Sequence, residues 1–365
     1  MSGRGPHLLF VFGTRPEIIK CAPLLREAAA RGLPVTVVHT GQHYSRELDE
    51  VFFEQLALPA PDHNLEVGSG SHGEQTGEML AGLEPVVVDE APDVVVVQGD
   101  TNSTLAGAIT TCKLPPALAH VEAGLRSFDR EMPEEHNRVL TDHAADYLFA
   151  PTERAVGHLR DEGVTDGVWR TGNTVVDAVR QHIDIAAAES TVLDDLELTA
   201  DGYVLLTAHR AENVDDPDRL AGILEGAATV ARDHGLDCVY PIHPRSRRRI
   251  EEFGLDVPAA VHLVDPLSFL DFLLLEDRAA LVVTDSGGVQ EETAILGTPC
   301  VTVRDSTERQ ETVEIGANRL AGTDPREVAR AATAMLEAPT DWPVPYGDGT
   351  AAVQILDVLT SGERP

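Results

Sequence analysis

Residues 120 to 138 read HVEAGLRSFDREMPEEHNR, five carboxylates among three arginines. Positioned carboxylates are the side chains of general acid–base work. Glu122 ends an apolar run beside Gly124, and MPEEHNR opens a helix with Pro133 at its start. Glu134 and Glu135 fall in that helix's first turn, where the dipole favours acids. That pairing accounts for one of the two. Arg138 stands four residues beyond Glu134, the spacing of a helical ion pair. Against a chemical role stands composition: 61 Asp and Glu and a formal charge of -33 make any single acid an ordinary surface residue.

Other stretches share the pattern of an apolar run followed by glycine and polar residues. In DSGGVQEE, 285 to 292, Gly287 and Gly288 permit a tight turn before a helix whose free N–H groups suit a phosphate. Ser286 adds a hydroxyl, and Glu292, one turn further in, can take two ribose hydroxyls. A plain helix start capped by Asp285 or Ser286 fits the same residues. GTRPEIIK, 13 to 20, turns at Gly13, starts a helix at Pro16 and presents Arg15. Lys20 follows one turn in, and taken alone it reads better as a surface cation than as a site residue. GDTNST, 99 to 104, puts Asp100 at a strand end, with Asp100 or Thr101 available as an N-cap. HRAEN, 209 to 213, supplies His209 and Arg210, and His243 follows a third strand. Together these cationic-capable groups suit a diphosphate. No HxH, HExxH or Cys/His cluster points to a metal, no GxSxG elbow to a serine nucleophile, and no GxGxxG follows one of the apolar runs, so a dinucleotide is not indicated. No cofactor is expected.

The elements that must position these residues are legible as short apolar runs separated by helical stretches. In order they are HLLFVF, VTVVHT, DVVVVQ, PALAHV, YLFA, VWRT, YVLLTA, DCVYPI, AVHLV, ALVVT and PCVTV. Continuous apolar character means strands buried on both faces, the mark of parallel sheet in a βαβ succession. Eleven runs exceed one ordinary sheet and predict two doubly wound α/β halves, divided near residues 171 to 179. The acidic stretch 187 to 202 is expected on the surface, and residues 351 to 359 as a last amphipathic helix. The polar residues collect past the carboxyl ends of the strands, where open parallel sheets bind ligands. Two such edges facing one another would form an interdomain cleft.

Composition bounds the partners. The only lysines among 28 basic residues are Lys20 and Lys113, a balance that resembles proteins of salt-loving organisms. The acid excess argues against nucleic acid or an anionic membrane. An anionic small substrate is compatible only where local cations and N–H groups outvote the general field. Cys21, Cys112, Cys238 and Cys300 show no CxxC spacing and read as buried free thiols in a cytoplasmic protein. No signal-peptide pattern and no membrane-length apolar run occurs.

GTRPEIIK, TGQH, GDTNST, HVEAGLRS, MPEEHNR, TAHRAEN, TDSGGVQEE and RDSTERQE follow one another over residues 13 to 311. This ordered set resembles the non-hydrolysing UDP-N-acetylglucosamine 2-epimerases. The resemblance implies a glycosyltransferase-B-like fold of two Rossmann-like domains and a homodimer. It places an N-terminal domain at 1–172, a UDP-binding domain at 173–350, and a helix at about 351–365 packing back on the first. It implies interconversion of UDP-N-acetylglucosamine (UDP-GlcNAc) and UDP-N-acetylmannosamine (UDP-ManNAc), through loss of UDP to a glycal and re-addition, for surface glycans. Asp100, Glu122 and Glu134 are then acid–base candidates. His209 and Arg15 contact the diphosphate or leaving group, Ser286, Gly287 and Gly288 complete the clamp, and Glu292 holds the ribose. Lys20, His43, Arg138, His243 and Arg309 support the site, while Asp129 and Glu131 are solvated charge.

Two departures stand out. Gln310 replaces the family's usual proline, which puts that loop's placement in question. The substrate activation of bacterial members uses TGQH and an Arg-Gln pair; here Glu74-Gln75 stands instead, so weakened or absent activation is expected. Rival readings are a hydrolysing 2-epimerase, a retaining glycosyltransferase of the same fold, and a non-catalytic nucleotide-sugar sensor. Intact Pro16 and Glu17 speak against the first, and the presence of Asp100, Glu122 and Glu134 against the last.

Overall fold

The computed structural model describes residues 5–42, 53, 56 and 58–362. The chain divides into two compact units. The first runs to Ala178 and resumes at Tyr346; the second is Val179–Pro345. The sequence set the boundaries at 172/173 and 350/351. The first observed boundary falls a turn and a half later, inside a helix, because nothing breaks the pattern between Thr174 and Glu189, and the second falls five residues earlier, at Tyr346.

The first unit contains β1 (Leu8–Phe12), α1 (Arg15–Ala30), β2 (Val35–His39), β3 (His63–Asn64), α2 (His72–Glu90), β4 (Val94–Gln98) and α3 (Asn102–Thr111). It continues with β5 (Ala117–Val121), α4 (Pro133–Ala144), β6 (Tyr147–Ala150), α5 (Glu153–Asp161), β7 (Val168–Arg170) and the start of α6 (Thr174–Glu189). Its sheet is parallel, in the order β3-β2-β1-β4-β5-β6-β7. β1 and β4, LLFVF and VVVVQ, are buried at every position, as strands covered by helices on both faces must be. The C-terminal helix Ala351–Ser361 belongs to this unit. Asp177 accepts from the N–H groups of Ala351 and Ala352 and so caps its start. Ile355, Leu356 and Leu359 are buried, and Asp357 pairs with Arg31 beyond α1.

The second unit contains α7 (Val192–Asp195), β8 (Tyr203–Thr207), α8 (Ala211–Val214), α9 (Pro217–His234), β9 (Asp237–Pro241), α10 (Pro244–Phe253) and β10 (Val261–Val264). It continues with α11 (Phe269–Arg278), β11 (Leu281–Thr284), α12 (Gly287–Leu296), β12 (Cys300–Thr302), α13 (Gln310–Glu314), β13 (Asn318–Leu320) and α14 (Pro325–Leu336). The parallel order is β10-β9-β8-β11-β12-β13. Alternate residues serve opposite faces: Val204, Leu206 and Val283 join one apolar cluster, Tyr203, Leu205 and Val282 another.

All eleven expected runs are strands. β3 and β13 are additional; HN and NRL are short and polar and carry no periodic signal. The stretch 187 to 202 includes α7, which tucks Val192 into the core. Cys21, Cys238 and Cys300 are buried, but Cys112, at the end of α3, is exposed. In both sheets strand order reverses beside the first strand, between β1 and β4 and between β8 and β11. Ligands of doubly wound sheets bind outside the carboxyl ends at such points.

Candidate active site

In the first unit the carboxyl ends of β4 and β5 lie side by side, with Gln98 in register with Val121. The next residue after β5 is Glu122, whose side chain is 4% exposed. Lys20 Nζ lies 2.9 Å from both carboxylate oxygens. Gln98 donates its amide to Oε2, and Asn173 donates to Oε1 at 3.2 Å. Glu122 has φ of 76°, a left-handed conformation that costs a side-chain-bearing residue about 1–3 kcal/mol and collects at functional sites. The following turn is closed by Gly124, at φ of 81°, where a Cβ would sit 2.4 Å from the Ala155 carbonyl.

Asp100, after β4, meets Arg138 of α4 in a two-pronged contact: Nε at 2.9 Å and Nη2 at 2.6 Å from Oδ2. The N-cap of α3 is Thr101, which accepts from the Thr104 N–H, so the Asp100 carboxylate is not spent on capping. Arg138 also donates to Glu135 at 2.7 Å. Of the two first-turn acids, Glu135 is the buried anchor. It accepts from the Ser127 and Phe128 N–H groups at 2.9 Å each. Burial pushes its carboxyl up, but these N–H groups and Arg138 outweigh that and hold it low. Glu134 is exposed beside it, and Asp129 and Glu131 are exposed too.

A buried network supports both strand ends. His120, two residues before Glu122, sets Nδ1 2.6 Å from Asp142 and Nε2 2.8 Å from the Gly99 carbonyl. Asp142 also takes Arg126 at 2.7 Å, and Arg126 grips Glu162 with two bonds of 2.7 Å. Burial alone would raise the Asp142 carboxyl; His120 and Arg126 outweigh it and pull it below its usual range.

The second unit presents cations and N–H groups at the equivalent edge. Asp285, fully buried after β11, accepts from the N–H of His209, that of Arg210 and the Asn213 amide at 3.0 to 3.1 Å. It therefore straps the loop after β8 rather than capping α12. Ser286 is the α12 N-cap but makes no side-chain bond to the first turn, which leaves the Gly287 and Gly288 end open to an anion. His209, 47% exposed, turns Nδ1 to 3.3 Å from Asp285, and its ring centroid is 6.5 Å from that of His243. Burial, then His209 and Arg245, lowers the His243 imidazole.

Behind this edge Arg210, Arg304 and Arg309 surround Glu308. Burial works against its charge, but the three guanidiniums hold its carboxyl down to about 2. Arg309 also lies 3.1 Å from the buried Glu291. On α12, Glu292 neighbours Glu276, whose carboxyl is pushed well above its usual range by complete burial and then by Glu292. Gln310 occupies the first position of α13, where proline fits equally well, so the substitution leaves a helix start in place.

Of the expected residues, Lys20, Asp100, Glu122, Glu134 and Arg138 thus gather at one edge of the first unit, with Arg15 exposed at the start of α1. His209, His243, Ser286, Gly287, Gly288, Glu292 and Arg309 gather in the second. His43 lies outside the described residues. Gln98, Asn173 and the His120–Asp142 pair were missed, and Glu17 was read only as part of the GTRPE motif. A polar residue closing the run VVVVQ, and a histidine inside the buried run ALAHV, were the available signals. Among the described residues no group of His, Cys, Asp and Glu could hold a metal, and no helix is long and apolar enough to cross a membrane.

The family model described as UDP-N-acetylglucosamine 2-epimerase matches residues 26–360. The chain is 48% identical to the UDP-N-acetylglucosamine 2-epimerase of Methanocaldococcus jannaschii, across 98% of this chain and 99% of that one. It is 42% identical to the UDP-2,3-diacetamido-2,3-dideoxy-D-glucuronate 2-epimerase of Pseudomonas aeruginosa, across 96% and 99%. The crystal structure of the M. jannaschii protein in complex with UDP-GlcNAc and UDP matches with a TM-score of 0.89, over 98% of this chain and 100% of that chain. The calicheamicin glycosyltransferase CalG4, 13% identical with a TM-score of 0.57, shares the fold alone.

Proposed function

The chain belongs to the UDP-N-acetylglucosamine 2-epimerase family, and from that membership we propose that it is the non-hydrolysing enzyme, interconverting UDP-GlcNAc and UDP-ManNAc. The observation that carries the proposal is the pair of carboxylates on adjacent strand ends, each held by a cation: Glu122 by Lys20 and Asp100 by Arg138.

In this reading a carboxylate removes the proton from carbon 2 as the bond from carbon 1 to the diphosphate oxygen breaks. UDP leaves with the bonding electron pair, and a glycal remains. A second acid returns a proton to the opposite face of carbon 2 while the diphosphate oxygen re-bonds to carbon 1. Asp100, Glu122 and Glu134 are the groups for the proton steps. His209, Arg15, Ser286 and the open N-terminus of α12 stabilise the departing diphosphate and keep it for return. Glu292 takes the ribose, with Lys20, Arg138, His243 and Arg309 in support. The exposed position of Glu134 leaves it accessible to a bound sugar, whereas Glu135 is committed to the loop 127–128.

The proposal extends to a homodimer in the cytoplasm that supplies UDP-ManNAc to surface glycans, and to weak or absent activation by substrate. Support for the last point is local. Glu74 forms a capping box with Ser71, and Gln75 is buried against the Gln42 and Gly68 carbonyls. Proton NMR of the protein with UDP-GlcNAc in D2O tests the core reading. Deuterium at carbon 2 with UDP-ManNAc formed is the expected result. Free N-acetylmannosamine with UDP would transfer the assignment to the hydrolysing branch, and no turnover with UDP bound would remove the enzymatic reading.

A further inference from the structure

Glu17, in the first turn of α1, is 2% exposed and does no work in the scheme above. Its carboxylate is nevertheless bonded to two separate loops at the switch point of the first sheet. Oε2 accepts from the Gly13 N–H at 3.0 Å and the Thr14 hydroxyl at 2.7 Å. Oε1 accepts from the hydroxyls of Thr101 at 2.7 Å and Thr104 at 3.3 Å. One oxygen thus holds the loop after β1 and the other the loop after β4. Asp100 immediately precedes Thr101, and Arg15 immediately follows Thr14.

We propose that Glu17 is a positioning residue for the epimerisation: its ionised carboxylate laces the β1–α1 loop to the β4–α3 loop and so fixes Asp100 and Arg15. The inference rests on the epimerase reading, in which those two residues meet the substrate. Gly13, Thr14 and Thr101 donate, while Thr104 directs its one hydroxyl proton mainly to the nearer Gln98 carbonyl at 2.7 Å. Protonation converts one acceptor oxygen into a donor facing groups that already donate, so the lace loosens at one end.

Burial raises the Glu17 carboxyl to about 6, the surrounding hydrogen bonds pulling the other way. The transition therefore lies within the working range of an enzyme. Its titratable neighbours are Lys20 and Cys21 on α1 and Glu122 from β5, which act together on the Cys21 thiol, with Asp100 and Arg138 beyond Thr101. Lys20 is engaged by Glu122 and Arg138 by Asp100.

Wild type, Glu17→Gln and Thr14→Val are compared from pH 5 to 8.5 by kcat and KM. In parallel, 15N-glycine with 13C-carbonyl phenylalanine labelling resolves Gly13 and Gly254, the two glycines that follow a phenylalanine. The expected wild-type kcat falls toward acid with a midpoint near the Gly13 titration, while Gly254 stays flat. Glu17→Gln loses the Gly13 titration and that acid limb, and at pH 8 its kcat drops roughly tenfold with KM within twofold. Thr14→Val removes a bond that favours the ionised form, so its limb moves to higher pH. A Gly13 signal flat from pH 5 to 7.5, or a Glu17→Gln enzyme with kcat within twofold of wild type, overturns the proposal. So does a uniformly slower Glu17→Gln enzyme with its limb intact. Should Glu17→Gln fail to fold, an unmoved limb in Thr14→Val overturns it instead. A wild type inactive at every pH defeats the epimerase reading, and the Gly13 titration then decides whether the lace exists.

Discussion

The two sheets repeat one strand order and one switch point, yet the edges they present have opposite chemistry. After β4 and β5 stand acids, Asp100 and Glu122, each turned toward a cation that comes from a helix. After β8 and β9 stand the imidazoles of His209 and His243 and after β11 the start of α12, while the acids Asp285, after β11, and Glu308, after β12, pair with loop N–H groups and with arginines. Backbone topology provides the ledge in both. In the proposed reaction, which side chain stands at each strand end would decide whether the edge moves protons or holds an anion. The left-handed Glu122 backbone, with φ of 76°, belongs to the first edge.

The comparison breaks most directly at Glu122. Glu122→Gln keeps the shape and removes the acid. Turnover is expected to fall by about 10³, within the range for loss of a general acid–base group, while UDP affinity changes less than threefold. Exchange of the carbon 2 proton, followed by NMR, should vanish with turnover. A variant that loses UDP binding but keeps exchange would mean that the proton chemistry does not reside on this edge.

A middle-sized effect concerns stability. Because burial raises the Glu17 carboxyl from 4.5 to about 6, the folded state holds that proton more tightly than the unfolded chain. The group's contribution is therefore fully present below pH 4.5 and is lost as pH rises through 6, about 2 kcal/mol in all. Relative to wild type, Glu17→Gln should gain stability with rising pH across that window and level off above it. Denaturant melts at several pH values would show this, and a difference independent of pH would contradict the burial argument. The second unit's Glu308, held down to about 2, has the opposite sign: its contribution is present above 4.5 and is lost only as pH falls toward 2.

Much of this division was legible in the chain. Continuous runs such as VVVVQ and YVLLT disclosed parallel sheets, and the glycine-rich sequences after them disclosed the edges. What stayed hidden was orientation. The i,i+4 spacing of Glu134 and Arg138 suggested a pair, but Arg138 pairs with Glu135 at i,i+3 on the same helix and, across the fold, with Asp100. Asp285 reads as a cap and instead accepts the N–H groups of a loop more than seventy residues away. Gln98, at the end of β4, and Asn173, beyond β7, meet only through Glu122, the residue that follows β5. Periodicity records which face of an element is buried, and carries nothing about which long-range donor meets a polar tip.

The proposed anion-holding role of the second edge can be tested at Gly287. A Cβ there would lie 2.6 Å from Glu308 Oε1, and Glu308 is braced by Arg304. Gly287→Ala must displace that carboxylate, and with it Arg210 and Arg304. KM for UDP-GlcNAc is expected to rise about tenfold, the equivalent of about 1.4 kcal/mol, with kcat within threefold. A fall in kcat at constant KM would assign this loop to the chemical step and erase the contrast between the edges.

The smallest effect tests whether local donors outvote the net charge of -33. At 0.1 M salt the Debye length is about 10 Å, so most of the acidic surface is already screened from an anionic ligand. Contacts shorter than that length, from His209, Arg210 and the start of α12, keep attracting it. Raising KCl from 0.1 to 1 M therefore weakens mainly these close attractions, and KM is expected to rise by up to about threefold while kcat stays level. The Glu122–Lys20 pair, 4% and 11% exposed, is shielded from salt, which is why kcat is the insensitive parameter. Steady-state kinetics across a KCl series decides between the fields. A KM that falls as salt rises would mean that general repulsion dominates, and that the second edge gathers its ligand despite the surface rather than through local charge.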